Sequence, residues 1–344
     1  MKIKHLVILI MFTIISPLSQ VNAQKLKDAG AYADYIEEHQ RKVKKDFLYY
    51  NYAVIHNKDK AVVAARGNSF IKTLKKTQKK ISAMPAFEGD LSLRDSASSY
   101  LELYYNVLTQ KYNKFLDTEE IIEQSLDIVE AVLLAEELAK NKLDNAKLNL
   151  EKTKEIFAVK HQIKPLEKQE TDLKFEETEI LNDYFRTIYL IFLKSTRQEK
   201  LLWESLSKGN ISVVEQKNYT LKKITEEGIN QLKFIPAYKE DSTLLFACRT
   251  LLQFYQKESL EKIPFITDYI IKKERLERID QAIVARNNPE ENQNEMDLYN
   301  IAATEINDLS FDIDNDNLRL TAIRLQLLKN WFIESSKFLR RHTP

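Results

Sequence analysis

The chain has 344 residues, with 52 basic and 51 acidic side chains and only 5 Gly and 7 Pro. Glycine and proline together fall far below the roughly 12% usual in globular proteins. That shortage excludes a multi-stranded sandwich or barrel, which needs turn residues every ~8–12 positions, and any glycine-rich phosphate-binding fold. With 44% hydrophobic and 30% charged residues, the composition is that of a folded chain rather than a disordered one.

Residues 1–23 read as a signal peptide. Lys2 and Lys4 form a basic start, Leu6 to Ile15 an apolar run, and Val21-Asn22-Ala23 a cleavage site, so cleavage before Gln24 is expected. The apolar run is too short to span a bilayer, which takes about 20 residues, and no transmembrane segment is expected after cleavage. Cys248 is the only cysteine. It rules out an internal disulfide and lies far from any lipid-anchor position near the signal. Without Lys2 and Lys4 the chain carries 50 basic and 51 acidic residues, a balance that gives no footprint for nucleic acid.

The rest divides into two copies of one helical unit, expected at residues 24–165 and 166–344. Met84-Pro85-Ala86-Phe87-Glu88-Gly89-Asp90 recurs as Ile235-Pro236-Ala237-Tyr238-Lys239-Glu240-Asp241, an offset of 151. At that offset Val63 matches Val214, Leu93 matches Leu244, Leu101 matches Leu252 and Tyr104 matches Tyr255. With a two-residue slip, Asp34-Tyr35 lines up with Asp183-Tyr184.

In chain order, copy one predicts helices at about 26–57, 59–84, 91–134 and 137–163. Val63, Gly67, Phe70, Leu74, Thr77, Ile81 and Met84 in the second of these follow the 4-3 spacing of a bundle seam. Copy two predicts helices at about 170–207, 211–235, 241–286 and 292–340. Its seam is Val214, Asn218, Leu221, Thr225, Gly228, Leu232 and Ile235. Proline ends the second helix of each copy, and Asp90 and Asp241 are placed to cap the third. Pro165 separates the copies, Asn287-Asn288-Pro289 breaks the last hairpin, and Pro264 should kink the long third helix of copy two. The expected fold class is all-α: a tandem duplication of an antiparallel four-helix bundle with long third helices.

Catalytic and metal motifs are missing. None of the five His has Glu three positions before it, and there is no His-Glu-x-x-His or Gly-x-Ser-x-Gly. His39, His56, His161 and His342 read as surface or internally satisfied residues. Cys248 aligns with Ala97, which makes it a small interior residue. No cofactor is expected. Asp312, Asp314 and Asp316 resemble the opening of a calcium loop, but Asn317 and Ile323 stand where Gly and Glu are needed. Asp312 and Asp316 remain weak metal candidates. Asp316 also falls on a helical seam, where burial would demand a basic partner.

Tyrosines recur on the first and third helices, among them Tyr104, Tyr105 and Tyr255; most serve the core, and a partner face is the alternative. The charged segment Glu136 to Lys168 reads as a solvated helix face or, alternatively, as a coiled-coil docking surface.

The signal, the two helical units and the Pro-Ala-aromatic-x-x-Asp turn resemble the uncharacterised secreted or surface-exposed helical proteins of Bacteroidetes-type bacteria and leptospires. That resemblance implies export and an all-helical fold, and brings no active-site residues. The expected function is a non-enzymatic binding or structural protein of the periplasm or cell surface, with a protein or other envelope component as partner. A small-ligand or metal-ion carrier using the bundle interior is the alternative.

Overall fold

Short polar residues open the helices. Asp28 precedes α1 (Ala29–Ile55), and its Oδ1 accepts the Ala31 N–H at 3.0 Å. Asp59 does the same for Ala61 at 2.8 Å ahead of α2 (Lys60–Ser82). Each carboxylate satisfies a donor that the first helical turn leaves without an intrahelical partner. Helix α3 (Ser92–Phe115) follows Asp90, whose Oδ1 accepts the Ser92 N–H at 2.9 Å. Beyond it lie α4 (Leu126–Lys160), α5 (Glu170–Ser207), α6 (Ile211–Phe234) and α7 (Thr243–Lys257). A π-helical turn, Glu258–Lys262, joins α7 to α8 (Ile263–Arg286), and α9 (Gln293–His342) closes the chain.

This computed structural model describes residues 28–56, 58–115, 126–164, 167–286 and 293–344. The signal segment, Pro165 and Asn287-Asn288-Pro289 lie outside the described residues. Among those residues all regular structure is helical, accompanied by two isolated β-bridges.

The chain forms two compact units, one ending at Phe175 and the other running Glu176–Pro344. In unit 1, Tyr32 and Ile36 of α1, Phe70, Leu74 and Ile81 of α2, Leu101 of α3, and Leu150 and Phe157 of α4 form a single core. In unit 2 the core joins Ile188 and Leu202 of α5, Leu221 of α6, Leu252 and Tyr255 of α7, and Trp331 and Phe338 of α9. The expected seam of α2 is buried from Gly67 through Met84, and α6 buries Val214, Leu221, Thr225, Gly228 and Leu232 of its own. The 4-3 spacing thus places one stripe of each helix inside.

The chain reverses between the second and third helix of each unit at a bonded corner. In unit 1, Phe87 and Asp90 exchange both backbone hydrogen bonds, at 3.0 and 2.8 Å, and in unit 2 Tyr238 and Asp241 do so at 3.2 and 2.9 Å. The Tyr32 hydroxyl donates to the Pro85 carbonyl at 3.0 Å, and the Tyr184 hydroxyl to the Pro236 carbonyl at 3.0 Å. Tyr32 also stacks on Phe157 at 5.8 Å between ring centroids, as Tyr184 does on Phe338 at 5.7 Å. The last helix then reaches the capping carboxylate. Lys160 Nζ lies 2.5 Å from Asp90, while Arg341 and His342 both bond Asp241.

Two expectations are corrected. Tyr184 has its counterpart in Tyr32, one helical turn before Tyr35, because the hydroxyl that meets the proline carbonyl belongs to Tyr32. In unit 1 the third helix does not run unbroken over 91–134: Leu101 of α3 and Leu150 of α4 share one core, and Asp90 before α3 pairs with Lys160 at the end of α4. The hairpin expected near 134–137 therefore falls inside α4, which contains no Gly or Pro to break it. At Pro264 the long helix of unit 2 changes register in a π-helical turn, with the Ile263 N–H bonded to the Glu258 carbonyl.

Two substitutions test the packing. A Cβ on Gly228 would sit 2.6 Å from Leu252 Cδ2 and 2.9 Å from Ile191 Cγ2, both on buried or nearly buried residues. Gly228→Ala should therefore destabilise unit 2 by about 1–3 kcal/mol in thermal unfolding. At the second corner Glu240 holds φ +68° where the first corner has Gly89 at +81°. Glu240→Gly should raise stability by about 0.5–1 kcal/mol, since a side chain in the left-handed region is strained.

Candidate functional site

The most unusual chemistry in either unit sits where α5, the π-helical turn and α9 meet inside unit 2. Glu199 of α5 and Glu258 of the turn are 5% and 2% exposed. Arg324 of α9 forms an ion pair with each, its Nε beside Glu199 and its Nη2 donating to Glu258 Oε1 at 2.6 Å. The guanidinium also lies over the Trp203 ring at 4.6 Å and near Phe254 at 6.0 Å. Two carboxylates thus share one fixed positive charge behind aromatic rings, where low dielectric strengthens every term.

The sequence forces the turn into this shape. Pro264 has no N–H to continue the helical ladder, and the Ile263 N–H reaches back five residues to Glu258. The carbonyl of Ser259 is passed over by that register. The Asn218 side-chain amide donates to it at 3.0 Å, which explains an amide on the seam of α6. The widened turn is what brings Glu258 inward.

Burial pushes the Glu258 carboxyl up to about 8, against the pull of Arg324 and with the help of Glu199. Burial likewise raises Glu199 to about 7, again opposed by Arg324. Oε2 of Glu258 is buried without a hydrogen-bond partner, which favours the neutral form. One guanidinium cannot balance two carboxylates, so near neutral pH the triad holds a proton.

The expected site residues fare differently. Asp312 is exposed. Asp316 is half-buried and commits its oxygens to Lys262 at 2.5 Å and Arg319 at 2.9 Å. The hydrogen bond from Lys262 comes first among the causes that hold its carboxyl below the usual range. Tyr255 is fully buried and offers no surface to a partner, while Tyr104 and Tyr105 are half-buried against the unit 1 core. Cys248 is buried in the unit 2 core, and burial pushes its thiol up to about 12. His161 and His342 pack on the corner aromatics of their units, Phe87 and Tyr238, at 4.9 and 5.1 Å. His39 is buried with Nδ1 2.8 Å from the Tyr35 carbonyl. Among the described residues no group of three or more His, Cys, Asp or Glu is placed to hold a metal ion, and no helix is long and apolar enough to cross a membrane.

Sequence reasoning missed the triad, though a signal was present. Carried back by the offsets that the corner residues set, its positions correspond to Phe47, Val107 and Leu143 of unit 1. Apolar residues stand there. No protein-family model, curated protein or solved structure matches the chain.

The triad makes unit 2 sensitive to pH. Both carboxyls bind protons more tightly folded than unfolded, where glutamate titrates near 4.5. Their contribution to stability is complete below about 4.5 and falls as pH rises to about 8. Urea unfolding between pH 4.5 and 9 should show that decline, and Glu258→Gln should flatten it with no loss at pH 9. Arg324→Leu at pH 8 should cost about 3–5 kcal/mol by leaving buried charge without its partner.

Proposed function

We propose that this chain is an exported, non-enzymatic binding protein of the periplasm or cell surface. Its two units are tandem copies of one antiparallel four-helix design, and its partner is another envelope macromolecule held on a helix face. The duplication is supported by the corners, where Tyr32/Tyr184, Phe87/Tyr238, Asp90/Asp241 and Phe157/Phe338 repeat the same bonds and ring contacts.

The observation that carries the binding role is the outer face of α4. Leu134, Leu138, Leu148, Ile156 and Val159 are all exposed. At 100° per residue they fall within about 40° of one line along the helix. Leu150 and Phe157 bury the opposite face in the core. Exposed Asn141, Asn145 and Lys152 lie on the same line, so polar side chains interrupt this face and its apolar residues offer separate anchor points to a partner rather than one continuous patch. All of it but Leu134 lies within the segment Glu136 to Lys168, for which a solvated helix face was expected and a docking surface was the alternative. The carrier reading has less behind it, since Asp316 already spends its oxygens on Lys262 and Arg319.

Cross-linking on intact cells tests the proposal. The wild-type chain should give one discrete product of higher mass, and Ile156→Lys with Val159→Glu should abolish it while the helical circular dichroism stays unchanged. A product that persists in the double variant, or none from the wild type, would contradict the reading.

A further inference from the structure

From Lys60 to Ser82, helix α2 carries seven basic side chains and no acidic one. Its buried stripe runs through Gly67, Phe70, Leu74, Thr77 and Ile81. At 100° per residue, Lys72, Lys75, Lys76 and Lys79 lie within about 60° of the direction opposite that stripe. All four are exposed. Ala61, Ala65, Asn68 and Ser69 complete this outer face, so it holds neither a carboxylate nor a large apolar side chain. None of the four lysines forms an ion pair among the described residues; Lys75 alone has a partner, donating to the Tyr105 hydroxyl at 3.5 Å and lying 5.3 Å from the centre of that ring.

Unit 2 shows the contrast. At the offset of 151, Lys75, Lys76 and Lys79 correspond to Glu226, Glu227 and Asn230 of α6, and Lys72 to Lys223, which pairs with Glu227 at 3.9 Å. Helix α6 balances four basic residues with three acidic ones. In α2, Lys72 and Lys76, like Lys75 and Lys79, stand one turn apart, where like charges repel and weaken a helix. The rims of the face do little to relieve this. On the α1 side Lys80 lies 3.4 Å from His39 Nε2. Burial is the first cause that lowers the proton affinity of His39, and the charges of Lys42 and Lys80 add to it while the Tyr35 carbonyl and Glu38 oppose it. Asp46 of α1 is taken up by the Ser69 and Thr73 hydroxyls. On the α3 side Glu102 is exposed between Ser98 and Tyr105, the residues that meet Gln78 and Lys75.

We infer that the outer face of α2 is a binding surface for anionic phospholipid headgroups, with Lys72, Lys75, Lys76 and Lys79 set against the lipid phosphates. Charge fixes the sign of the occupant, and three features select its kind. The four groups are ammoniums on flexible stems, which act on phosphate as hydrated point charges, and no Arg on this face supplies the rigid fork that a ligand of fixed shape calls for. Aromatic rings on which bases could stack are missing from it. The face is also a convex ridge, about 10 Å long from Lys72 to Lys79. A polyanionic strand is held in a groove, whereas a flat leaflet meets a ridge. With no large apolar side chain to insert, attachment is electrostatic and reversible. The near balance of charge over the whole chain averages this patch away. At physiological salt, charges are screened over about 8 Å, so a leaflet responds to the nearest groups rather than to the total. The inference concerns α2 alone and does not rest on the partner proposed for α4.

Vesicle flotation of the chain from Gln24 onward tests it, using phosphatidylglycerol mixed with phosphatidylcholine, and phosphatidylcholine alone. The wild type should float with the anionic vesicles at about 0.05 M salt, not with the neutral ones, and should be released at about 0.5 M. A lysine near an anionic leaflet is worth roughly fivefold in affinity, so Lys72→Glu with Lys76→Glu and Lys79→Glu should lower binding by about a hundredfold or more. Circular dichroism should show that this variant keeps its helices. Lys222→Glu with Lys223→Glu and Lys233→Glu changes net charge equally on α6, at exposed positions, and should bind within about twofold of the wild type. A wild type that ignores anionic vesicles, binding that survives the α2 variant or high salt, an equal loss in the α6 variant, or retention by duplex DNA with none by vesicles would overturn the inference.

Discussion

Everything in each unit hangs on how the chain turns between its second and third helices. Proline ends the second helix, and the next residues enter the left-handed region at Glu88 and Gly89, or at Lys239 and Glu240. Such a corner would fray unless its freed backbone groups found partners. A tyrosine from the first helix takes the proline carbonyl, the bridge residues bond one another, and aspartate caps the third helix. The same aspartate draws in a basic residue from the end of the last helix. Four helices are tied at one point, which lets a chain so poor in turn residues fold back on itself.

Asp90 and Asp241 show the electrostatic side of that tie. The hydrogen bond from Lys160, followed by those from Ser92, holds the Asp90 carboxyl well below its usual range. At Asp241 burial works in the opposite direction, yet Thr243, His342 and Arg341 hold that carboxyl low as well. The corners are thereby firmest above the ordinary aspartate range and loosen as pH falls into it. The Glu199–Arg324–Glu258 triad has the opposite sign, since its carboxyls are raised. Unit 2 carries both responses within one core.

What could be read from the sequence was local. The seams of α2 and α6 follow from spacing within one helix, and the Asp90 and Asp241 caps from a few residues of context. The long helix from Thr243 to Arg286 and the final one from Gln293 to His342 matched their expected spans because Pro264 perturbs without breaking and no other breaker intervenes. What depended on tertiary register was missed. Tyr35 was paired with Tyr184 because a shift of one helical turn keeps a residue on the same face. His161 and His342 looked scattered because the offset between units changes from 151 to 181 after the third helix. Glu199, Glu258 and Arg324 lie on three separate elements, and only folding brings them together.

The corner as the organising tie is tested most directly by native-state amide hydrogen exchange. The Phe87, Asp90, Tyr238 and Asp241 amides sit in what a chain trace would take for loops. The account requires them to exchange as slowly as the buried interiors of α2 and α6, opening only when their unit unfolds. Exchange at the rate of unbonded loop amides, with α2 and α6 still protected, would contradict it.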